Sequence, residues 1–155
     1  MSAATDVRKI VTVLFCDLAG YTRTGEGLDP EALRALQLRY FEQARAALER
    51  HGGTVEKFIG DAVMAVFGIP TLHEDDALRA LRAAVEVREA VSTLGLQARI
   101  GVNTGEVVAG AGDALVTGDA VNVAARLEQA AEPGEILLGR DTHALASAAI
   151  SAEPV

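Results

Sequence analysis

The apolar residues of this chain occur in two patterns, short continuous runs and longer stretches of helical spacing. Residues Ile10 to Cys16 form a nearly continuous apolar run that ends at Asp17. This pattern predicts a strand buried on both faces, with the acid marking its end. After a glycine-bearing loop, Asp29 and Pro30 are an N-cap and first-turn signal, and the glycines of "HGG" supply a stop. We therefore predict a helix over roughly residues 30 to 51.

The next two apolar runs predict a β-hairpin. They extend from Thr54 to Ile59 and from Ala62 to Phe67, and only Gly60 and Asp61 separate them. Glycine followed by an acid is a common pair at the centre of a tight turn between two strands.

The rest of the chain predicts two further helices and three further strands, with a last short helix. A second helix runs from about Asp75 to Leu94, and strands follow over Ala98 to Val108 and Leu115 to Thr117. Asp119 is the expected cap of a third helix that stops at "EPG", and "EILLG" and "DTHALAS" predict a short strand and a last helix. The order βαββαβ, with later additions, predicts an α+β sandwich of ferredoxin-like type that mixes antiparallel pairs and crossovers.

Composition limits the classes of function that fit. The chain has 155 residues, of which 50% are hydrophobic, which suits one domain spanning residues 1–155. Its net charge of −8 comes without any basic run, so nucleic acid and anionic membrane are not expected partners. A phosphorylated ligand would approach so acidic a chain together with divalent cations.

Localisation is expected to be cytoplasmic. Cys16 is the one cysteine and can form no internal disulfide, and the first ten residues contain no apolar signal segment. No apolar run approaches the ~20 residues that cross a bilayer, so we expect no direct membrane contact from this segment.

Three polar features are candidates for chemistry, and each has a structural alternative. Asp61 is either a simple turn residue or a ligand, and Lys57 is either a snorkelling strand lysine or a binding residue. Strict alternation places Lys57 on the face of Val55 and Ile59, where a cation needs a partner.

The third feature lies on the third predicted helix. Its apolar stripe consists of Ala120, Val123, Ala124, Leu127 and Ala131. Asn122 and Arg126 fall on roughly the opposite side, four residues apart, and present an amide and a guanidinium together. The alternative is an ordinary solvated helix face.

The stretches "FCDLAGYT", "VEKFIGDAVMAVFG", "RIGVNTGEVVAG" and "VTGDAVNVAARLEQAAEPGEILL" occur in this order along almost the whole chain. Together they resemble the catalytic domain of class III adenylate and guanylate cyclases. The resemblance implies conversion of ATP to 3′,5′-cyclic AMP and pyrophosphate, with the alternative of a non-catalytic module that binds nucleotide or dimerises and regulates attached domains.

The resemblance also implies a metal site. Asp17 and Asp61 match the two aspartates that hold a pair of divalent ions in the family, so we expect two Mg²⁺ or Mn²⁺ ions in each active site. Main-chain amides of the loop are expected to contact phosphate oxygens. The loop residues are Leu18, Ala19, Gly20, Tyr21 and Thr22.

Four further positions match residues that the family uses to bind and activate the nucleotide. Lys57 resembles the lysine that reads adenine, Asn122 the residue that orients ribose, and Arg126 the residue that stabilises charge on the α-phosphate. Leu115 stands where adenylate cyclases usually carry a second purine-reading Asp or Thr, and leucine cannot accept a hydrogen bond from the adenine amino group.

The resemblance finally implies a partner and a missing segment. Family active sites form across a head-to-tail dimer, so a homodimer of this chain would contain two complete sites. Family members usually continue beyond the position of "SAEPV", so we expect the domain to lack its C-terminal strands.

Overall fold

A computed structural model describes residues 6–19, 29–110 and 116–150, together with residues 152 and 154. The side chains of residues 6 and 57–59 lie outside the description. The strands are β1 Asp6–Ala19, β2 Thr54–Ile59, β3 Ala62–Phe67, β4 Gln97–Gly110, β5 Val116–Thr117 and β6 Ile136–Leu138. The helices are α1 Pro30–Arg50, α2 Asp76–Thr93, α3 Asp119–Ala130 and α4 Arg140–Ala146.

The six strands of the described residues form one mixed sheet in the order β2-β3-β1-β4-β5, with β6 parallel to β4. The other pairs are antiparallel. The predicted α+β class is confirmed, because the βαββαβ order builds the sheet and later elements extend it. None of the described helices is long and apolar enough to cross a membrane.

The central pair of strands is longer than the apolar run predicts. The prediction that β1 ends at Asp17 is wrong, because β1 continues to Ala19. The reason is tertiary: β1 pairs with β4 along its whole length, from Asp6 opposite Gly110 to Ala19 opposite Gln97. Backbone pairing with a long partner maintains extended structure through positions whose side chains are polar or small.

Two cores cover the two faces of the sheet. Leu14 and Cys16 of β1 pack with α1, α2 and α4 on one face, whereas Val13 and Phe15 pack with α3 on the other. The fully buried Tyr40 of α1 donates its hydroxyl to the carbonyl oxygen of Cys16 at 3.4 Å. This bond fixes α1 beneath the backbone next to Asp17.

Most predicted helix boundaries are confirmed. Asp29 caps α1, since its Oδ1 accepts a hydrogen bond from the Ala32 amide at 2.7 Å, and Pro30 is the first helical residue. The third helix differs at its start, because Gly118 rather than Asp119 is the N-cap residue and Asp119 lies in the first turn.

The buried face of α3 also differs from the predicted stripe. Ala120, Ala124 and Ala131 are buried, but Val123 and Leu127 are only half-buried. Glu128 is buried instead, although it is charged. The reason is the close approach of α3 to β4, which brings Glu128 against the sheet.

Candidate active site

Asp17 projects from β1 on the face of the sheet that α3 covers. Its position follows from strand alternation, because Val13 and Phe15 pack against α3 and Asp17 is the next residue of that set. The Leu18 amide donates to Oδ1 of Asp17 at 2.7 Å, which fixes the carboxylate close to the main chain. The Asp17 side chain is 21% exposed, so it is reachable from solvent.

Asp61 lies in the turn between β2 and β3, as predicted. Gly60 before it has a φ of +61°, a backbone conformation that glycine adopts without steric cost. The turn directs Asp61 toward the end of β1, where its carboxyl group lies within hydrogen-bond reach of Asp17. Two acids distant in the sequence therefore share one site.

The environment of Asp61 makes its negative charge costly. Partial burial and the neighbouring Asp17 together raise the pKa of Asp61 to about 6, while Arg99 acts in the opposite direction. Two carboxylates that share a site resist ionising together unless a cation lies between them.

Arg99 is a member of the site that the sequence interpretation missed. It lies directly opposite Asp17 in the β1–β4 pair, and its Nη2 donates to Oδ2 of Asp17 at 3.3 Å. The signal for this contact is the strand register, which follows from the pairing of β1 with β4 and cannot be read from β4 alone.

Glu128 of α3 is a second member that was missed. The residue is only 6% exposed. Burial together with Asp17 and Asp61 raises the pKa of Glu128 to about 7, while Arg99 lowers it. Its Oε2 is buried and has no hydrogen-bond partner among the described residues. A glutamate on a mostly apolar helix face was the available signal.

The donor set fits a divalent cation held jointly with a substrate. Within the described residues, no group of three or more His, Cys, Asp or Glu side chains could hold a metal ion by itself. Asp17 and Asp61 supply two carboxylates, and Mg²⁺ is typically bound through one or two carboxylates, substrate phosphates and water. Their mutual repulsion is the kind that a bound cation relieves.

Asn122 and Arg126 lie on the exposed side of α3, as the helical spacing predicts. Glu128 is the α3 residue whose pKa is raised by the charges of Asp17 and Asp61. Arg126 is two residues from Glu128, about 200° around the helix axis, and so points away from the two aspartates. The fold of one chain does not bring the two predicted groups of residues into one pocket.

The remaining predicted residues are only partly described. Leu18 and Ala19 belong to β1, so the prediction that the loop starts at Leu18 is wrong, and Leu18 already donates its amide to Asp17. Gly20, Tyr21, Thr22 and Leu115 lie outside the described residues.

Lys57 is described only by its backbone, which pairs with Met64 of β3. The assumed alternation from Val55 to Lys57 is wrong, because a β-bulge between them shifts the register of the β2–β3 pair. A bulge adds one residue to one strand, so positions before and after it no longer follow one alternating pattern.

Comparison with known proteins places this architecture in a family. Residues 4–153 match the model of the adenylate and guanylate cyclase catalytic domain. The chain is 32% identical over 137 residues to adenylate cyclase 1 of Rhizobium meliloti (strain 1021). This match covers 78% of the present chain and 21% of that relative, so the chain spans about a fifth of the relative's length.

Two solved structures are similar over nearly the whole chain. The adenylyl cyclase CyaB from P. aeruginosa is 34% identical with a TM-score of 0.88, covering 94% of this chain and 84% of that one. The guanylyl cyclase Cya2 is 35% identical with a TM-score of 0.83, covering 92% of this chain and 80% of that one. The similar structures thus include enzymes named for either purine nucleotide.

Proposed function

This chain belongs to the adenylate and guanylate cyclase catalytic domain family, and from this premise we propose that it converts ATP to 3′,5′-cyclic AMP and pyrophosphate. Cyclase catalytic domains of this family bind a nucleotide and use divalent metal ions. In this proposal the reaction takes place at a two-ion site in a homodimer.

The observation that carries the proposal is the meeting of Asp17 and Asp61. These residues come from separate elements and lie within hydrogen-bond reach, and the charge of Asp17 raises the cost of ionising Asp61. A purely structural turn acid has no need of such a neighbour. Both carboxylates are accessible enough to accept a ligand that arrives from solvent.

Asp17 and Asp61 would hold two Mg²⁺ or Mn²⁺ ions together with the triphosphate. When bound, the ions would lower the pKa of the ribose 3′-hydroxyl and compensate charge on the leaving pyrophosphate. The chain's own part is to fix the carboxylates. The Leu18 amide holds Oδ1 of Asp17 at 2.7 Å.

The exposure of Asn122 and Arg126 supports a site shared between two chains. Both residues face solvent on α3, on a side of the helix that points away from Asp17 and Asp61 of the same chain. In a twofold homodimer, Arg126 of one protomer would stabilise charge on the α-phosphate held at its partner's aspartates, and Asn122 would orient the ribose. Each dimer would contain two such sites.

Recognition of the base is assigned to Lys57 and to the position of Leu115. A lysine ammonium donates to N1 of adenine, whereas guanine carries an N–H there, so Lys57 favours ATP. Leu115 offers no acceptor to the adenine amino group, and this loss is worth about 0.5–1.5 kcal/mol of binding free energy. Selectivity for ATP is therefore expected to be incomplete.

A direct assay tests the proposal. The purified protein is incubated with Mn²⁺ and either ATP or GTP, and cyclic nucleotide is separated by chromatography, beside an Asp61→Ala control. We expect cyclic AMP from the wild type and none from the variant. Equal product from both proteins would remove Asp61 from the metal site, and product from GTP alone would reassign the substrate.

A further inference from the structure

Arg99 and Glu128 lie on the same side of the sheet as Asp17. Arg99 comes from β4 and Glu128 from α3, and α3 lies so close to β4 that Gly101 contacts the Glu128 backbone directly. Asp17, Asp61 and Arg99 are the charged groups that act on Glu128. The four residues therefore form one electrostatic unit, in which Glu128 is the most buried member.

Each of these two residues has one buried polar atom without a partner. Nε of Arg99 and Oε2 of Glu128 are both inaccessible to solvent and make no hydrogen bond to any described residue. Such atoms are rare in folded proteins, because a buried polar group without a hydrogen-bond partner destabilises the fold. One is a donor and the other an acceptor, so each atom is of the type that would satisfy the other.

The ion pair of Arg99 with Asp17 uses little of the donor capacity of the guanidinium. Only Nη2 contacts Asp17, at 3.3 Å, and a guanidinium carries five N–H groups in a rigid fork. A divalent cation at Asp17 would compete with Arg99 for the same carboxylate. Arg99 would then need a second anionic partner to stay paired, and the buried carboxylate that α3 brings against β4 is that of Glu128.

We propose that Glu128 is a positioning residue for the metal site, which accepts the Arg99 guanidinium when Asp17 binds a divalent cation. This inference rests on the proposed metal role of Asp17 and Asp61. When Arg99 moves from Asp17 to Glu128, its guanidinium keeps an anionic partner. In the cation-bound state Nε of Arg99 and Oε2 of Glu128 then gain the hydrogen bonds that they lack. Arg99 thereby neutralises Asp17 before the cation binds and Glu128 afterwards. Glu128 favours cation binding because it offers Arg99 a second ion pair.

The inference is tested by Mn²⁺ binding alone, without nucleotide or turnover. Free Mn²⁺ is measured by electron paramagnetic resonance at pH 8 for the wild type, Glu128→Gln, Arg99→Gln and the double variant. We expect Glu128→Gln, which keeps the shape but loses the charge, to weaken Mn²⁺ binding about fivefold to tenfold. In the Arg99→Gln background the same substitution should change the dissociation constant less than twofold.

The double-variant comparison separates positioning from simple charge. If Glu128→Gln weakens Mn²⁺ binding by the same factor with and without Arg99, Glu128 acts only through its charge and the inference is overturned. Unchanged binding in Glu128→Gln also overturns it. Arg99→Lys is a second background, and because an ammonium lacks the fork, Glu128→Gln should have a reduced effect there too.

An Asp17→Asn variant distinguishes failure of this inference from failure of the metal site. If Asp17→Asn loses Mn²⁺ binding while Glu128→Gln retains it, the metal site stands and the role of Glu128 is refuted. If Asp17→Asn binds Mn²⁺ as the wild type does, Asp17 is not a metal ligand, and the role proposed for Glu128 is refuted as well. Far-ultraviolet circular dichroism confirms that each variant is folded before titration.

Discussion

Gly101 of β4 lies against Glu128 of α3 so closely that a Cβ atom on Gly101 would overlap the backbone nitrogen of Glu128. The same atom would lie 2.5 Å from the backbone oxygen of Ala124. Both obstacles are main-chain atoms of a helix, which cannot move aside independently. The absence of a side chain at this one position therefore sets the distance between α3 and the sheet, and with it the positions of Glu128 and Arg126.

Replacing Gly101 by alanine is expected to destabilise the fold. The added methyl group must push α3 away from β4, and overpacking of this kind costs about 1–3 kcal/mol of unfolding free energy. We expect Gly101→Ala to lie at the upper end of that range in urea denaturation followed by circular dichroism.

Gly95 provides the matched control for this substitution. It has a φ of +79° but no atom near the position of an added Cβ, so Gly95→Ala tests conformational strain without a clash. Strain at one such residue costs about 1 kcal/mol. If Gly95→Ala proves as destabilising as Gly101→Ala, close packing of α3 on β4 is not what Gly101 provides.

Much of the fold could be predicted because the local signals agree with the tertiary structure. The two strands of the hairpin, Thr54–Ile59 and Ala62–Phe67, have the predicted bounds. Two apolar runs separated only by Gly60 and Asp61 strongly favour two strands joined by a tight turn. The full extent of β1 could not be predicted, because residues beyond the apolar run are extended only through pairing with β4.

The site was partly predictable for the same reason. Asp17 and Asp61 stand beside apolar runs as isolated acids, and the family resemblance pairs them. Arg99 carries no such local signal, and Glu128 has only its place on a mostly apolar helix face, because their roles depend on strand register and on the approach of α3 to β4. The bulge before Lys57 was equally hidden, since no glycine or proline marks it in the sequence.

The buried Glu128 is expected to make stability depend on pH. Its pKa in the folded protein is about 7, above its ordinary 4.5, so the folded state binds a proton more tightly than the unfolded chain does. The contribution of Glu128 to the free energy of unfolding should therefore fall as pH rises from about 4.5 to 7, by roughly 1–3 kcal/mol, and level off outside that range.

Comparison with Glu128→Gln isolates this contribution, because glutamine does not titrate while the other groups remain. Urea denaturation of both proteins in a chelator removes any effect of metal. The wild type should lose stability relative to the variant as pH rises through the stated range. A difference that stays constant from pH 4.5 to 8 would show that Glu128 ionises as it does in the unfolded chain.

Metal binding is expected to weaken in acid because Asp61 must be ionised to act as a ligand. With the pKa of Asp61 raised to about 6, the apparent affinity for Mn²⁺ should be about tenfold lower at pH 5 than at pH 7.5. Free Mn²⁺ measured by electron paramagnetic resonance gives this ratio. An affinity that is equal at the two pH values would contradict the assignment of Asp61.

The position of Leu115 is expected to limit the preference for ATP. In Leu115→Thr the new hydroxyl can accept a hydrogen bond from the adenine amino group, which should raise kcat/KM for ATP relative to GTP about tenfold. Leu115→Val is the matched control, since valine has nearly the shape of threonine without the hydroxyl. Equal selectivity of the two variants would place the adenine amino group elsewhere.

The proposed sharing of each site between two chains predicts recovery of activity in a mixture of two inactive variants. In this proposal Asp61→Ala lacks a metal ligand, and Arg126→Ala lacks the charge that would be supplied to the partner's site. After subunit exchange, half of the dimers contain both variants, and each mixed dimer has one intact site, so about a quarter of wild-type activity should return. Asp17→Ala mixed with Asp61→Ala is the control and should remain inactive, because every site in it lacks one aspartate. Subunit exchange is verified by size or label transfer. If the mixture of Asp61→Ala and Arg126→Ala stays inactive although the subunits exchange, Arg126 of one chain does not act at the site that contains Asp61 of the other.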